Sequence, residues 1–125
     1  TLAGTDIDYN DQDLTYNGTL DITHDITLNG SDEDFTFTNT NTIDSITVNT
    51  NSSNSITLTG SAALTVGGSW TMTTGTIVEN TSAVTFNAES SQPITMNAQT
   101  FYDLTFNSAA GDWTLQGAMD IENDN

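Results

Sequence analysis

One five-residue pattern governs this chain: an apolar residue, Thr, a second apolar residue, then mostly Asn or Thr, then mostly a small residue. Its apolar-Thr-apolar core occurs eleven times, as Leu14-Thr15-Tyr16, Ile26-Thr27-Leu28, Phe35-Thr36-Phe37, Ile46-Thr47-Val48, Ile56-Thr57-Leu58, Leu64-Thr65-Val66, Trp70-Thr71-Met72, Val84-Thr85-Phe86, Ile94-Thr95-Met96, Leu104-Thr105-Phe106 and Trp113-Thr114-Leu115. Leu20-Asp21-Ile22 and Met119-Asp120-Ile121 keep the alternation without Thr. Strict alternation is the period of a strand with one buried and one wet face. Thr is the polar residue that suits a pleated strand, because its branched Cβ restricts it to extended backbone. Asn, Gly and small residues after each copy accept left-handed backbone and end the strand. No window carries a helical period, so the pattern predicts an all-β chain with strands of about 4–6 residues. At 125 residues it makes a single repetitive domain, 1–125, with acidic segments 1–13 and 119–125 at its ends.

Successive copies start 6 to 14 residues apart. Two architectures fit that spacing. One is an antiparallel β-sandwich or jelly roll, for which turn signals every 8–12 residues are the usual cue. The other is a parallel β-solenoid, in which short strands make a coil and coils stack. The likeness of the repeats to one another favours the solenoid. So does Asn at one phase after six strands (Asn17, Asn29, Asn49, Asn87, Asn97, Asn107), as stacked corners would require. The hairpin dipeptide Asn-Gly occurs only twice.

The charge is as unusual as the pattern. The chain has 17 acids, no Lys and no Arg, for a formal charge of −17. Without cations it cannot neutralise phosphates, which excludes nucleic acid, or dock by charge on an anionic membrane. P-loop and Arg-clamp nucleotide sites are excluded too. With no Cys there are no disulfides or thiolate metal sites. No apolar run approaches the length of a membrane span, so no membrane insertion is expected. An acid-only balance points to the cell exterior.

Catalysis finds little support. The one imidazole, His24, stands in an acidic stretch with no partner nucleophile in view, and reads as a surface residue. Paired carboxylates suit glycoside hydrolysis, but this chain has no cation to hold an acidic polysaccharide. The expectation is a protein that is not an enzyme.

Oxygen ligands for a hard cation are better represented. Asp6, Asp8, Asp11 and Asp13 offer carboxylates in a run resembling the first half of a calcium loop. The run departs from that loop at Asp11, where the turn Gly belongs, and at Asn17, where the bidentate Glu belongs. Asp120, Glu122 and Asp124 form a second cluster, and Ser31-Asp32-Glu33-Asp34 a weaker one. Calcium is therefore the one cofactor expected. Four glycosylation sequons, at Asn17, Asn29, Asn51 and Asn80, match the number chance gives in a chain this rich in Asn, Ser and Thr. Trp70, Trp113, Phe86 and Phe106 fall at inward phases and read as core. Thr-X-Thr triplets at Thr36, Thr57 and Thr71 read as plain strand surface.

The run Phe101-Tyr102-Asp103-Leu104-Thr105-Phe106-Asn107, followed by Trp113-Thr114-Leu115 and Met119-Asp120-Ile121, is similar to the β-strand repeats of large microbial surface proteins, the adhesin and autotransporter-like parallel β-helices. The resemblance implies an extracellular β-helical scaffold, surface fibre or adhesin, and carries no catalytic residues over. The expected function is an extracellular structural protein that self-assembles by strand stacking or strand addition into a fibre, sheath or surface layer. Its partner would be copies of itself. The alternative is an adhesin segment that presents loops to a glycan or surface, with calcium holding it.

Overall fold

The computed structural model describes residues 6–9, 14–16, 25–28, 32–48 and 53–122. The described residues form strands and turns with no helix. The strands in chain order are β1 (Asp6–Tyr9), β2 (Leu14–Tyr16), β3 (Asp25–Leu28), β4 (Asp34–Phe37), β5 (Asn41–Ile43), β6 (Ile46–Val48), β7 (Ser55–Leu58) and β8 (Ala63–Val66). They continue as β9 (Trp70–Met72), β10 (Thr76–Val78), β11 (Ala83–Phe86), β12 (Ser91–Thr95), β13 (Thr100–Phe101), β14 (Asp103–Phe106), β15 (Asp112–Gln116) and β16 (Asp120–Ile121). Every pairing between them is parallel.

The first face is a six-stranded sheet in the order β1-β3-β6-β9-β12-β15. The second stacks β2-β4-β7-β10 and then the pair β13-β16, and the third stacks β5-β8-β11-β14. Neighbours within each face are thus one turn apart in sequence. The chain is a parallel β-solenoid, and the antiparallel sandwich is excluded. Its four complete turns are β3 to β5, β6 to β8, β9 to β11 and β12 to β14, with β1 and β2 before them and β15 and β16 after.

The alternation does what its period dictates. On the first face Ile7, Ile26, Ile46, Trp70, Ile94 and Leu115 share one register column. Leu14, Phe35, Ile56 and Ile77 do so on the second face, and Asn41, Leu64, Val84 and Leu104 on the third. Ile26, Phe35, Ile46, Ile56, Leu64, Trp70, Val84 and Ile94 are buried in one continuous core. Burying a side chain of this size contributes about 1.5–3 kcal/mol. Trp70, Phe86 and Phe101, one from each face, meet edge to face with ring centroids 5.3 to 6.1 Å apart.

The eleven Thr-centred copies lie in strands, save that Met96 falls just past the end of β12, and Met119-Asp120-Ile121 leads into β16. Leu20-Asp21-Ile22 lies outside the described residues. Strands run from two to five residues, shorter than the pattern suggests, because each one is only a side of a coil. The turn length varies from 19 residues (Ile7 to Ile26) to 24 (Ile46 to Trp70), which is why no fixed repeat is visible in the sequence. The Asn residues do not form one corner column. Asn107 stacks over Asn87 beyond the third face, while Asn97 follows β12 on the first with a φ of 50°. Asn17, Asn29 and Asn49 lie outside the described residues.

Candidate functional site

Among the described residues, the core meets solvent at the last turn of the stack. Leu115 is 50 % exposed, Phe106 43 % and Ile121 39 %, whereas Ile94, Phe86 and Phe101, their counterparts one turn earlier, are 1 %, 0 % and 0 % exposed. These residues hold the inward phase of the repeat, so the exposure comes from their level in the stack and not from their type. Leu104, Trp113 and Met119 are partly buried beside them. An aromatic run reaches this end from the interior: Phe86 stacks on Phe106 at 5.7 Å, and Phe106 meets Trp113 at 5.0 Å. Trp70 and Phe86 are core as expected, while Phe106 is an end-plate residue and Trp113 sits half-buried.

Each face also ends in edge strands. The first is bounded by β1 and β15, and the third by β5 and β14. The second begins at β2 and finishes at β16. An edge strand presents a row of N–H and C=O groups without a ladder partner, the usual template for strand addition. Inside the stack the ladder is interrupted once on the second face, where the Ile77 N–H donates to Gln99 Oε1 at 3.1 Å.

The described acids expected to hold calcium, Asp6, Asp8, Asp120 and Glu122, lie at the same two ends. Asp6 and Asp8 belong to β1, a strand and not a loop, and Asp6 stands level with Asp25 on β3. Asp11, Asp13 and Asp124 lie outside the described residues, as does His24. Asp120 is exposed in β16, where its Oδ1 accepts the Ile121 N–H at 2.9 Å. Glu122 is exposed just beyond, its N–H donating to the Phe101 carbonyl at 2.9 Å. Among the described residues no three His, Cys, Asp or Glu side chains converge on one point that would hold a metal.

Two carboxyls do meet, from positions 19 residues apart that no motif links. Asp44, at the corner between β5 and β6, comes against Asp25 on β3. Burial above all, then the Asp25 charge and a hydrogen bond to Asp25, raise the Asp44 carboxyl above its ordinary range. Asp25 Oδ1 is closed off from solvent with no hydrogen-bond donor beside it. Gly67 and Gly68 of the next turn lie over this corner, and the Gly68 N–H donates to the Asp44 carbonyl at 2.7 Å.

The sides of the stack are different in character. Thr27, Thr47, Thr71 and Thr95 form one register column on the first face. Thr15, Thr36 and Thr57 do so on the second, and Thr42, Thr65, Thr85 and Thr105 on the third. The column on the second face ends at Val78, which is exposed. Acids are absent from the outward strand positions at mid-height, where Ala63, Thr65, Ala83 and Thr85 lie side by side. Asn80, in one of the four sequons, uses its side-chain amide to donate to the Leu58 carbonyl at 2.6 Å. The other three sequon residues, Asn17, Asn29 and Asn51, lie outside the described residues.

No protein-family model matches the chain, and no curated protein or solved structure matches it significantly.

Proposed function

We propose that this chain is a structural protein of the cell exterior that extends end to end by strand stacking, building a fibre, sheath or surface layer. The observation that carries the reading is the open last turn, where Phe106, Leu115 and Ile121 hold core positions but face solvent. Apolar side chains on a bare parallel edge are what a further turn would cover, at roughly 25 cal/mol for each Å² of apolar surface removed from water. Location outside the cell rests on the absence of Lys and Arg and on the likeness to microbial surface repeats. Calcium between acidic ends would lower the repulsion that a charge of −17 sets against assembly.

The test is analytical ultracentrifugation of the 125-residue chain over a range of concentrations, with electron microscopy of the same samples. Concentration-dependent growth into rods one solenoid wide is the expected result. A chain that stays monomeric throughout removes the proposal.

The uncharged middle of the faces, with its Thr columns, favours a second reading: a segment of a larger adhesin that meets a glycan or surface. That reading gains if the chain is monomeric and a glycan array registers binding lost on substitution of Thr65 and Thr85.

A further inference from the structure

We infer that the open turn is covered by the β1–β2 end of a second copy, joined head to tail with Leu115 level with Ile7 of the next copy. This rests on the end-to-end reading and adds the polarity and register of the joint.

Strand direction comes first. All pairings are parallel, so β15 and β1 run the same way along the same face. A copy moved along the axis continues each ladder without reversal. Two like ends brought together would have to pair antiparallel, a geometry found at none of the described levels.

Register comes second. Ile7 and Leu115 are the first and last members of one unbroken column. Setting them level brings Thr114 opposite Asp6 and Gln116 opposite Asp8, since these flank the column at the same offsets. The joint therefore places a hydroxyl and an amide donor against two carboxylate positions. The stack already uses this pairing inside, where the Ser55 hydroxyl donates to the Asp34 carboxylate one turn away.

Size comes third. A turn spans 20 residues between Ile26 and Ile46, so one turn laid on another brings about as many residues to each side as a standard stable interface uses, roughly 20–30. The contact is heterologous and does not close, so it propagates.

The native chain has no cysteine, so introduced thiols report without background. In-register neighbours on parallel strands stand about 4.8 Å apart, within the 4.4–6.8 Å Cα separation a disulfide accepts, and a shift of two residues takes them beyond it. The variant carrying both Asp8→Cys and Gln116→Cys is assembled under reducing conditions, oxidised and run on a non-reducing denaturing gel. A ladder of covalent multimers is expected, and the pair Asp6→Cys with Thr114→Cys should give the same ladder. The offset pair Asp6→Cys with Gln116→Cys should stay monomeric. If Gln116→Cys alone gives covalent dimers, or the offset pair ladders as well as the matched ones, the head-to-tail register is wrong while self-assembly stands. If the unsubstituted chain shows no association by sedimentation, the end-to-end reading itself has failed, and this inference with it.

Discussion

Asn54, fully buried one turn above Glu33, accepts the Glu33 backbone N–H on its side-chain oxygen at 2.9 Å. The bond crosses turns, as a ladder bond does, but comes from a side chain just before β7. Asn54→Ala removes the acceptor and leaves a buried N–H without it, at a cost of about 1–3 kcal/mol. Urea denaturation should show a lower midpoint with an unchanged slope. An unmoved midpoint would mean water replaces the amide at that site.

Gly75 completes the same column. A Cβ there would lie 2.6 Å from the Asn54 carbonyl oxygen and 2.9 Å from Val48 Cγ1, and its φ is +79°. Gly75→Ala combines a backbone clash with left-handed strain, and costs about 1–3 kcal/mol. Gly60→Ala is the matched control, with a φ of +59° and nothing within 4 Å. Thermal melts should rank wild type above Gly60→Ala and Gly60→Ala above Gly75→Ala; equal losses would show that the close approach to Asn54 contributes nothing.

Asp44 makes stability depend on pH with a definite sign. Its carboxyl is raised in the fold, so the folded state binds a proton more readily than the unfolded chain does. That contribution is complete below the unfolded value and is lost as pH rises through the raised one. Asp44→Asn should therefore melt higher than wild type at pH 7, by ~2 °C for a partly exposed pair. The gain should vanish in acid, below the carboxylate range. A gain that persists there would rule out the Asp25 carboxylate as its source.

Leu115 and Ile94 occupy one column but different levels. Ile94→Ala opens the closed core and costs about 2–5 kcal/mol. Leu115→Ser should leave the melting temperature nearly unchanged and lower the average mass seen by sedimentation. A melt lowered as far as that of Ile94→Ala would show that the last turn closes within the single chain.

Calcium is tested by melting and sedimentation with the ion or with excess chelator, in 0.15 M salt. A higher melting point or larger assemblies with calcium are expected, both reduced by Asp6→Asn with Asp8→Asn. No change in either measurement would leave the acidic ends as solvated surface only.

The strands with Thr between two apolar residues were legible because inward and outward demands agree at every position. Those the pattern missed break it in identifiable ways. β5 begins with Asn41, a polar residue at an inward position whose amide donates to the Asn39 carbonyl at 2.6 Å. β10 carries Val78 outward, and β13 is only Thr100 and Phe101. β1 alternates Asp with apolar residues, so its acids read as a ligand run instead of a strand's wet face. An open end follows from any uncapped solenoid, but which residues lie at it was not legible. Leu115 and Ile94 sit in equivalent motifs, and what separates them is the number of turns stacked above, which no local pattern records. The meeting of Asp44 with Asp25 was hidden in the same way, because a corner takes its neighbours from the turns on either side.

The spread in turn length has a consequence for how such a chain changes over generations. Columns stay aligned although turns differ by as much as five residues, so the corners absorb additions that the strands would not tolerate. Removing residues 46–69 would bring Trp70 into the place of Ile46 and Thr71 into that of Thr47, with every later turn unmoved relative to its neighbours. Duplicating that stretch would insert one more turn. A gene for this fold can therefore lengthen or shorten in whole turns by unequal recombination, and vary each corner separately, while the hydrogen-bonded ladder keeps its phase.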